Sequence, residues 1–102
     1  MTVLRSVEAL KEKDLEQKLV QAVKERGGQA FKFVSPGAAG VPDRLLLFPR
    51  KKIAFCEVKA PGKKIRPLQS YRITQLRKLG FRVYVVDNEE KIGEMLNEIY
   101  PS

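Results

Sequence analysis

Two carboxylates and one lysine stand where the sequence is otherwise apolar. Asp43 directly precedes the apolar segment Arg44–Phe48, and Glu57 lies fourteen residues further on, inside a second apolar segment that ends at Lys59. Because side chains alternate along a strand, Glu57 and Lys59 would point to the same side, roughly 7 Å apart. A hairpin of the two segments would bring Asp43 beside them, since the start of one strand then meets the end of the next. The three side chains are therefore predicted to form one cluster.

Such a cluster is suited to binding a divalent cation. Two neighbouring carboxylates repel each other unless a cation neutralises them. Mg²⁺ takes oxygen ligands and keeps several waters, which leaves room for a phosphate group and a nucleophile. A lysine beside the ion can act on the attacking water and can stabilise charge that develops on phosphorus. The alternative is an aspartate that caps a turn and a Glu–Lys pair on the exposed face of a sheet.

Composition excludes several other kinds of catalytic site. The 102 residues include no histidine and a single cysteine, Cys56. A Ser-His-Asp or Cys-His mechanism, a histidine-ligated metal and an internal disulfide are therefore excluded. Cys56 is interpreted as a small buried apolar residue. No apolar run reaches the ~18 residues needed to span a bilayer and no signal-peptide pattern is present, so a cytoplasmic protein without a membrane partner is expected.

The net charge favours a polyanionic partner. Lysine and arginine number 20 against 12 aspartates and glutamates, which gives a net charge of +8. Acidic residues are concentrated in residues 87–98, whereas residues 50–52 and 59–66 are strongly basic. A surface of this kind attracts nucleic acid, although a small basic protein without a specific partner would have the same composition.

Two loops flank the predicted cluster. Residues 35–42 contain two prolines and two glycines, and the flexibility of Gly37 and Gly40 would let a phosphate backbone approach closely. The loop after Lys59 carries three cations that are interpreted as phosphate contacts, which position a nucleic acid and do not read its sequence: Lys63, Lys64 and Arg66. The alternative for these cations is a solvated loop.

Hydrophobic periodicity predicts the elements that would position these residues. After a short arm at residues 1–7, helices are predicted at about residues 8–26, 67–79 and 89–100, and strands at residues 29–34, 44–48, 53–59 and 81–86. Short connections favour an antiparallel meander of the first three strands, and the helix before the fourth strand makes a crossover long enough to place it parallel to the third. The sequence therefore predicts one α/β domain over residues 1–102, with a mixed sheet (order α-β-β-β-α-β-α) and helices on both faces.

The pattern Pro42-Asp43 followed by Glu57-Val58-Lys59 resembles the PD-(D/E)-x-K signature of restriction-endonuclease-like nucleases. The surrounding sequence is similar to one branch of them, the VRR-NUC (virus-type replication-repair nuclease) domains, and in particular to their stand-alone phage and bacterial members. The resemblance covers roughly residues 12–87. It rests on four segments: residues 32–44 (KFVSPGAAGVPDR), residues 55–64 (FCEVKAPGKK), Pro67-Leu68-Gln69 and residues 80–87 (GFRVYVVD).

The resemblance implies a role for each matching residue. Asp43 and Glu57 would ligate Mg²⁺ or Mn²⁺, and the carbonyl of Val58 would complete the inner shell. Lys59 would act on the attacking water or the scissile phosphate. Gln69 would lie near the site and help to hold Lys59 or the phosphate; its alternative is an ordinary glutamine on a helix surface.

The family also uses a glutamate on its first helix, for which this sequence offers Glu12 and Glu16. Glu12 lies near the middle of the apolar stripe of that helix, where a charge needs a partner or an ion. Glu16 lies at the flank of the stripe, but it matches the spacing to the Gly27 turn in related junction resolvases. Both stay candidate metal ligands, and one of the two is expected to be an exposed helix residue.

The resemblance further implies a metal-dependent DNA endonuclease that is selective for branched DNA, such as a four-way Holliday junction, in a bacterial or phage-infected cell. A symmetric junction has two scissile sites, so a homodimer is expected. The apolar residues considered for its surface lie on the last two helices: Ile92, Met95, Leu96, Ile99, Tyr100, Leu76 and Leu79. The alternatives are a non-catalytic nucleic-acid-binding module and a nuclease subunit that acts only within a larger replication or repair assembly.

Overall fold

A computed structural model describes residues 3–101 of the chain and the side chains of residues 7–101. The described elements follow the predicted order: α1 Val3–Glu25, β1 Gln29–Lys32, β2 Arg44–Phe48, β3 Lys52–Val58, α2 Pro67–Lys78, β4 Arg82–Val86 and α3 Glu89–Ile99. A short 3₁₀ turn at Pro49–Lys51 joins β2 to β3. None of the helices in this part of the chain is long and apolar enough to cross a membrane.

The predicted arm at the N-terminus is wrong from Val3 onward, because α1 begins there. The segment from Val3 to Leu10 contains leucine, glutamate, alanine and arginine, which favour a helix, and neither glycine nor proline interrupts it. The first two residues of the predicted arm lie outside the described residues. The helix is therefore longer at its N-terminus than hydrophobic periodicity indicated.

The four strands form one mixed sheet in the order β1-β2-β3-β4. The pairs β1–β2 and β2–β3 are antiparallel, and β4 pairs parallel to β3, as predicted. In the β2–β3 hairpin, Arg44 lies opposite Cys56 and Phe48 lies opposite Lys52. This register places Asp43, one residue before β2, beside the last two residues of β3.

Helices cover both faces of the sheet, and the buried side chains form two clusters. The larger cluster lies under α1 and α3: Leu15, Leu19, Val23, Leu46, Phe48, Ala54, Cys56, Val58, Val86, Ile92, Met95, Leu96 and Ile99. The smaller cluster lies under α2 and contains Phe55, Ile73 and Val83. Alternation along β3 therefore sends Phe55 to one face and Cys56 to the other. Cys56 is fully buried, as predicted, and burial raises the pKa of its thiol.

The apolar stripe of α3 belongs to this core. Ile92, Met95, Leu96 and Ile99 are all buried, and Tyr100 stacks on the ring of Phe48 at a centroid distance of 5.7 Å. The expectation that part of this stripe contributes to a dimer surface is therefore wrong, because a sheet of four strands needs the whole stripe to cover it. Of the residues considered for that surface, Leu76 packs against the smaller cluster and Leu79 is 70% exposed.

The turn between α1 and β1 packs directly on β2 through Gly28. A β-carbon at this position would lie 2.7 Å from the carbonyl oxygen of Leu47, 2.8 Å from Cδ1 of Phe48 and 3.0 Å from Cγ1 of Val23. These distances are shorter than carbon–carbon and carbon–oxygen contacts allow. The close approach fixes where α1 ends relative to the sheet, and thereby fixes the helix that carries Glu16.

We expect Gly28→Ala to lower the free energy of unfolding by about 1–3 kcal/mol, because the added methyl group overpacks a contact that includes backbone. Gly93→Ala is the matched control, since the β-carbon position of Gly93 in α3 has no heavy atom within 4 Å. Alanine is the better helix former, so this control should be equally or more stable, by up to about 1 kcal/mol. Urea unfolding measures both. Equal stability of Gly28→Ala and the wild type would contradict the packing described for this turn.

Candidate active site

Asp43 is held at the start of β2 by bonds to the strands on both sides. Its Oδ2 accepts a hydrogen bond from the backbone N–H of Val58 at 3.1 Å. Its own N–H donates to Oε1 of Glu57 at 3.2 Å, and its carbonyl accepts from the N–H of Phe33 at 2.8 Å. The register of the β2–β3 hairpin therefore brings the two predicted carboxylates together, and the bond from Val58 orients the Asp43 side chain.

Glu57 is buried and is oriented by Gln69. Glu57 is 2% exposed and Gln69 6%. The Gln69 Nε2 group donates to Oε2 of Glu57 at 3.0 Å, while its Oε1 accepts from the N–H of Arg66 at 2.9 Å. Gln69 thus satisfies a backbone donor at the start of α2 and fixes the carboxylate at the same time. The sequence placed Gln69 near the site, but its contact is with Glu57 rather than with Lys59, and it is not a surface glutamine.

Lys59 follows β3 on the same side as Glu57, as alternation predicts. Its Nζ lies 3.4 Å from Oε2 of Glu57, and its side chain is largely buried. Its backbone N–H donates to the carbonyl of Val86 at 3.0 Å, which extends the pairing with β4 by one residue. The alternative of an exposed Glu–Lys pair is therefore wrong.

The carbonyl of Val58 faces the side of the sheet edge on which Asp43 lies. The N–H of Lys59 points toward β4, so the N–H of Val58, one residue earlier, points away from β4 and reaches Asp43. In a strand the N–H and C=O groups of one residue point to the same side. The Val58 carbonyl consequently points past the start of β2, into the space beside the Asp43 carboxylate.

Burial makes two ionised carboxylates unfavourable in this cluster. Loss of solvation raises the pKa of Asp43, and the hydrogen bond from the N–H of Val58 opposes this effect. Burial, and then the negative charge of Asp43, raise the pKa of Glu57 to about 7, although Lys59 partly compensates. At neutral pH Glu57 is therefore divided between its protonated and ionised forms. A cation held between the two carboxylates would relieve this cost.

On the first helix, Glu16 is the candidate that the structure ties to the cluster. Its Oε1 accepts from Nη2 of Arg44 at 2.9 Å, and the charge of Glu16 contributes to the raised pKa of Asp43. The Nη1 group of Arg44 donates to the carbonyl of Ala30 at 3.0 Å, so this arginine joins α1, β1 and β2. No local signal in the sequence distinguishes Arg44 from a surface arginine, so its part in the site was not predicted.

Glu12, the other candidate, lies one turn earlier on α1. It is half-buried and lines a shallow cavity of about 170 Å³ together with Glu8, Ala9, Ala60 and Lys63. Its neighbours therefore belong to the basic loop after β3, whereas those of Glu16 belong to the start of β2. Both glutamates stay candidate ligands, and the position beside Asp43 favours Glu16.

The oxygen atoms of this cluster suit an ion that takes few ligands from the protein, such as Mg²⁺ or Mn²⁺, better than an ion that is surrounded by protein ligands. Across the part of the chain with described side chains, no three Asp, Glu, Cys or His residues are gathered closely enough to hold an ion by themselves. Mg²⁺ needs only one or two carboxylates, because it keeps waters and takes phosphate oxygens from a substrate. Asp43, Glu57 and the Val58 carbonyl supply that number of oxygen ligands. Burial and the charge of Asp43 raise the pKa of Glu57 although Lys59 lies beside it, so a bound cation would stabilise the ionised pair.

The loop before Asp43 packs against the start of α2 and is hydrogen-bonded to it. Gly40 has a φ of +86°, and a β-carbon there would lie 2.8 Å from Cγ of Leu68 and 3.0 Å from its backbone. Arg72 Nε donates to the carbonyl of Ala39 at 2.9 Å. Position 40 therefore requires glycine, because Leu68 leaves no room for a side chain there. Gly37, by contrast, has open space around its β-carbon position. No local signal in the sequence indicates the contact between Gly40 and α2.

The three predicted phosphate-contacting cations lie on the surface beside the carboxylates. Lys63, Lys64 and Arg66 are all exposed. Lys63 makes a long ion pair of 3.9 Å with Glu8 of α1. Arg66 directly precedes α2, and its backbone is bonded to Gln69. The backbone of this loop is therefore linked to the Glu57 carboxylate through Gln69, and its three cations are exposed to solvent.

Comparison with known proteins agrees with this geometry. The VRR-NUC domain model matches residues 4–89. A protein of Acyrthosiphon pisum secondary endosymbiont phage 1, named "Putative nuclease p44", is 47% identical over 81 residues, which are 79% of this chain and 87% of that protein. A solved structure of a VRR_NUC domain superposes with a TM-score of 0.79 at 31% identity, over 88% of this chain and 97% of that one. The family model, the sequence relative and the shared fold together show that the chain belongs to the VRR-NUC family of nuclease domains.

Proposed function

We propose that the chain is a DNA endonuclease that hydrolyses phosphodiester bonds with Mg²⁺ or Mn²⁺. The observation that carries this proposal is the pair of adjacent carboxylates, the partly buried Asp43 and the buried Glu57, which are hydrogen-bonded to each other's strand and have raised pKa values. The name of the phage relative supports the nuclease part of this proposal. The basic loop beside the pair supplies the charge that a polyanionic substrate requires.

Each residue of the cluster has a distinct task in this proposal. Asp43, Glu57 and the carbonyl of Val58 would hold the ion, which when bound polarises the phosphate and lowers the pKa of a bound water. Gln69 keeps one oxygen of Glu57 in place through its 3.0 Å hydrogen bond. Lys59, whose Nζ lies 3.4 Å from Glu57, would contact the attacking water or the scissile phosphate and stabilise the negative charge that develops there.

We further propose branched DNA as the substrate and a homodimer as the active form. A four-way junction presents two symmetric scissile sites, and one chain offers one cluster. With α3 occupied by the core, apolar contacts remain available on the sheet face beside α2. Phe31 and Ile53 lie on that face and Phe81 packs edge-on against Phe55; all three are between 38% and 50% exposed. A second copy that covered them would bury an apolar patch at the edge of α2.

We expect Asp43→Asn and Glu57→Gln each to reduce the cleavage rate by about 10²-fold or more, because each removes charge from the metal site without removing side-chain volume. DNA affinity should change little, since it comes mainly from the basic surface. The assay uses labelled junction, flap, duplex and single-stranded DNA, with and without Mg²⁺ or Mn²⁺.

Glu94→Gln is the matched control, because Glu94 is an exposed carboxylate of α3 remote from the cluster. Its rate should equal that of the wild type. Cleavage by Asp43→Asn and Glu57→Gln at the wild-type rate would refute the assignment. Binding of DNA by the wild type with no cleavage under any metal condition would indicate a non-catalytic module or a nuclease that needs a partner.

The raised pKa of Glu57 predicts how metal and pH together affect stability. In the unfolded chain this carboxyl has a pKa near 4.5, and in the folded protein it has a pKa of about 7. Between these two pH values the Glu57 carboxyl holds a proton in the folded state and has lost it in the unfolded chain. The stabilisation that this proton gives is therefore fully present below the unfolded pKa and is lost as pH rises through 7. Because protons compete with metal for Glu57, the rise in Tm on adding Mg²⁺ should be larger at pH 8 than at pH 6.

Thermal unfolding with EDTA and with Mg²⁺ at the two pH values measures this effect. Glu57→Gln has no carboxyl to titrate, so its Mg²⁺-induced rise in Tm should be small and should differ little between pH 6 and pH 8. A wild-type Tm that does not respond to Mg²⁺ or Mn²⁺ at either pH would contradict the metal site.

The proposed dimer predicts a species of about twice the 11.6 kDa of one chain in light scattering at micromolar concentration. Ile53→Glu should shift it toward monomer, since a charge on the sheet face would have to be desolvated in the interface. Leu10→Glu is the control, because Leu10 is also apolar and exposed but lies on α1. A wild-type protein that is strictly monomeric and still cleaves both strands of a junction would refute the dimer.

A further inference from the structure

The turn between β2 and β3 has a backbone conformation that its residues rarely adopt. Arg50 has φ 64° and ψ 31°, and Lys51 has φ 62°. Both residues are therefore in the left-handed region, which is crowded for any side chain with a β-carbon. In turns of this kind glycine and asparagine are the usual residues at such positions.

Elsewhere the chain follows that preference. At every other described residue with a positive φ the sequence has glycine, namely at positions 27, 40, 62 and 80. The β2–β3 turn is thus the one place in residues 3–101 where left-handed backbone carries long side chains, and both are cations. A strained conformation that persists at a particular site indicates that the side chains there serve a purpose.

Contacts within the protein do not account for these two cations. Arg50 and Lys51 are exposed, and no described carboxylate lies within ion-pair distance of either. The neighbouring Lys52, by contrast, lies 5.8 Å from the centre of the Tyr100 ring. Arg50 and Lys51 therefore present two charges to solvent that no described group neutralises.

The turn lies at the end of the hairpin opposite the carboxylate cluster. Arg44, at the cluster end of β2, pairs with Cys56, whereas Phe48, at the turn end, pairs with Lys52. With a rise of about 3.3 Å per residue, the turn is roughly 20 Å from Asp43. Duplex DNA rises about 3.4 Å per base pair, so this separation corresponds to about six base pairs. A duplex arm that leaves the cleavage site is long enough to reach the turn.

We propose that Arg50 and Lys51 form a second contact for the phosphate backbone of DNA, remote from the cluster that cleaves it. The inference rests on the proposed function, because it assumes that DNA occupies the cluster. The contact is with phosphates rather than with bases, since two flexible cations on a turn provide charge without a fixed hydrogen-bonding pattern. It adds positive charge at the end of the hairpin opposite the loop after β3.

The double variant Arg50→Asn/Lys51→Gly separates charge from conformation, because asparagine and glycine accept left-handed backbone readily. We expect its urea unfolding midpoint to equal or exceed that of the wild type. Its affinity for a labelled 30-base-pair duplex and for a four-way junction, measured by fluorescence anisotropy in EDTA, should fall about tenfold or more. The slope of log affinity against log salt should become shallower by about 2 units.

The matched control is Lys18→Asn/Arg82→Asn, which also removes two positive charges, but from another part of the surface. Lys18 and Arg82 each already lie within 4.0 Å of a carboxylate, Lys18 beside Asp14 and Glu89, and Arg82 beside Glu98. Their loss should leave the salt slope close to that of the wild type. An equal loss of affinity in both double variants would show an effect of net charge alone and would overturn the proposal.

The cleavage assay distinguishes failure of this inference from failure of the proposed function. The turn variant should retain the metal-dependent rate at saturating DNA and require more DNA to reach it. If the wild type binds and cleaves DNA but the turn variant has unchanged affinity and salt slope, the second contact is refuted and the nuclease assignment stands. If the wild type neither binds nor cleaves DNA, the proposed function itself fails.

Discussion

The hydrogen bond from the N–H of Val58 to the carboxylate of Asp43, with its counterpart from the N–H of Asp43 to Glu57, joins the start of β2 to the end of β3. Beyond this point the two strands no longer pair through backbone alone, so side-chain oxygens replace the next carbonyls of the ladder. That substitution has a cost, because it places Glu57 in a buried position and Asp43 in a partly buried position beside it. The antiparallel register thus places Asp43 beside Glu57. Because the backbone hydrogen bonds between β2 and β3 end here, the carboxylate oxygens of these two residues accept hydrogen bonds from the N–H groups that remain.

The surrounding structure makes this arrangement tolerable. Gln69 supplies an amide donor from α2, Lys59 supplies a positive charge from the residue after β3, and the pKa of Glu57 is nevertheless raised to about 7. A pKa that stays raised despite these contacts is typical of functional sites, where ionisable groups are held in environments that a structural core would avoid. The long-range contacts of Arg44 with Glu16 and of Gly40 with Leu68 then fix α1 and α2 against the same pair of strands.

Much of this site could be predicted because it depends on short-range rules. Alternation placed Glu57 and Lys59 on one side of β3, and the hairpin brought Asp43 to them without knowledge of any other element. What the sequence could not provide were the contacts between distant segments. Gln69 was expected near the site, but its partner depends on the angle at which α2 crosses the sheet. The start of α1 and the use of the whole α3 stripe in the core were also mispredicted. The first turns of α1 follow from helix propensity rather than from hydrophobic periodicity. The burial of the α3 stripe depends on how much of the sheet it must cover.

The burial of Cys56 has a practical consequence for experiments in solution. Its thiol is the only one in the sequence, lies fully inside the larger core cluster, and has a pKa raised by that burial. Thiol reagents act on the ionised, accessible form, so the native protein should react with them slowly. A cysteine introduced at an exposed position such as Val34 would therefore be the one reactive thiol, and a fluorophore attached there would report on this protein without removal of the native cysteine.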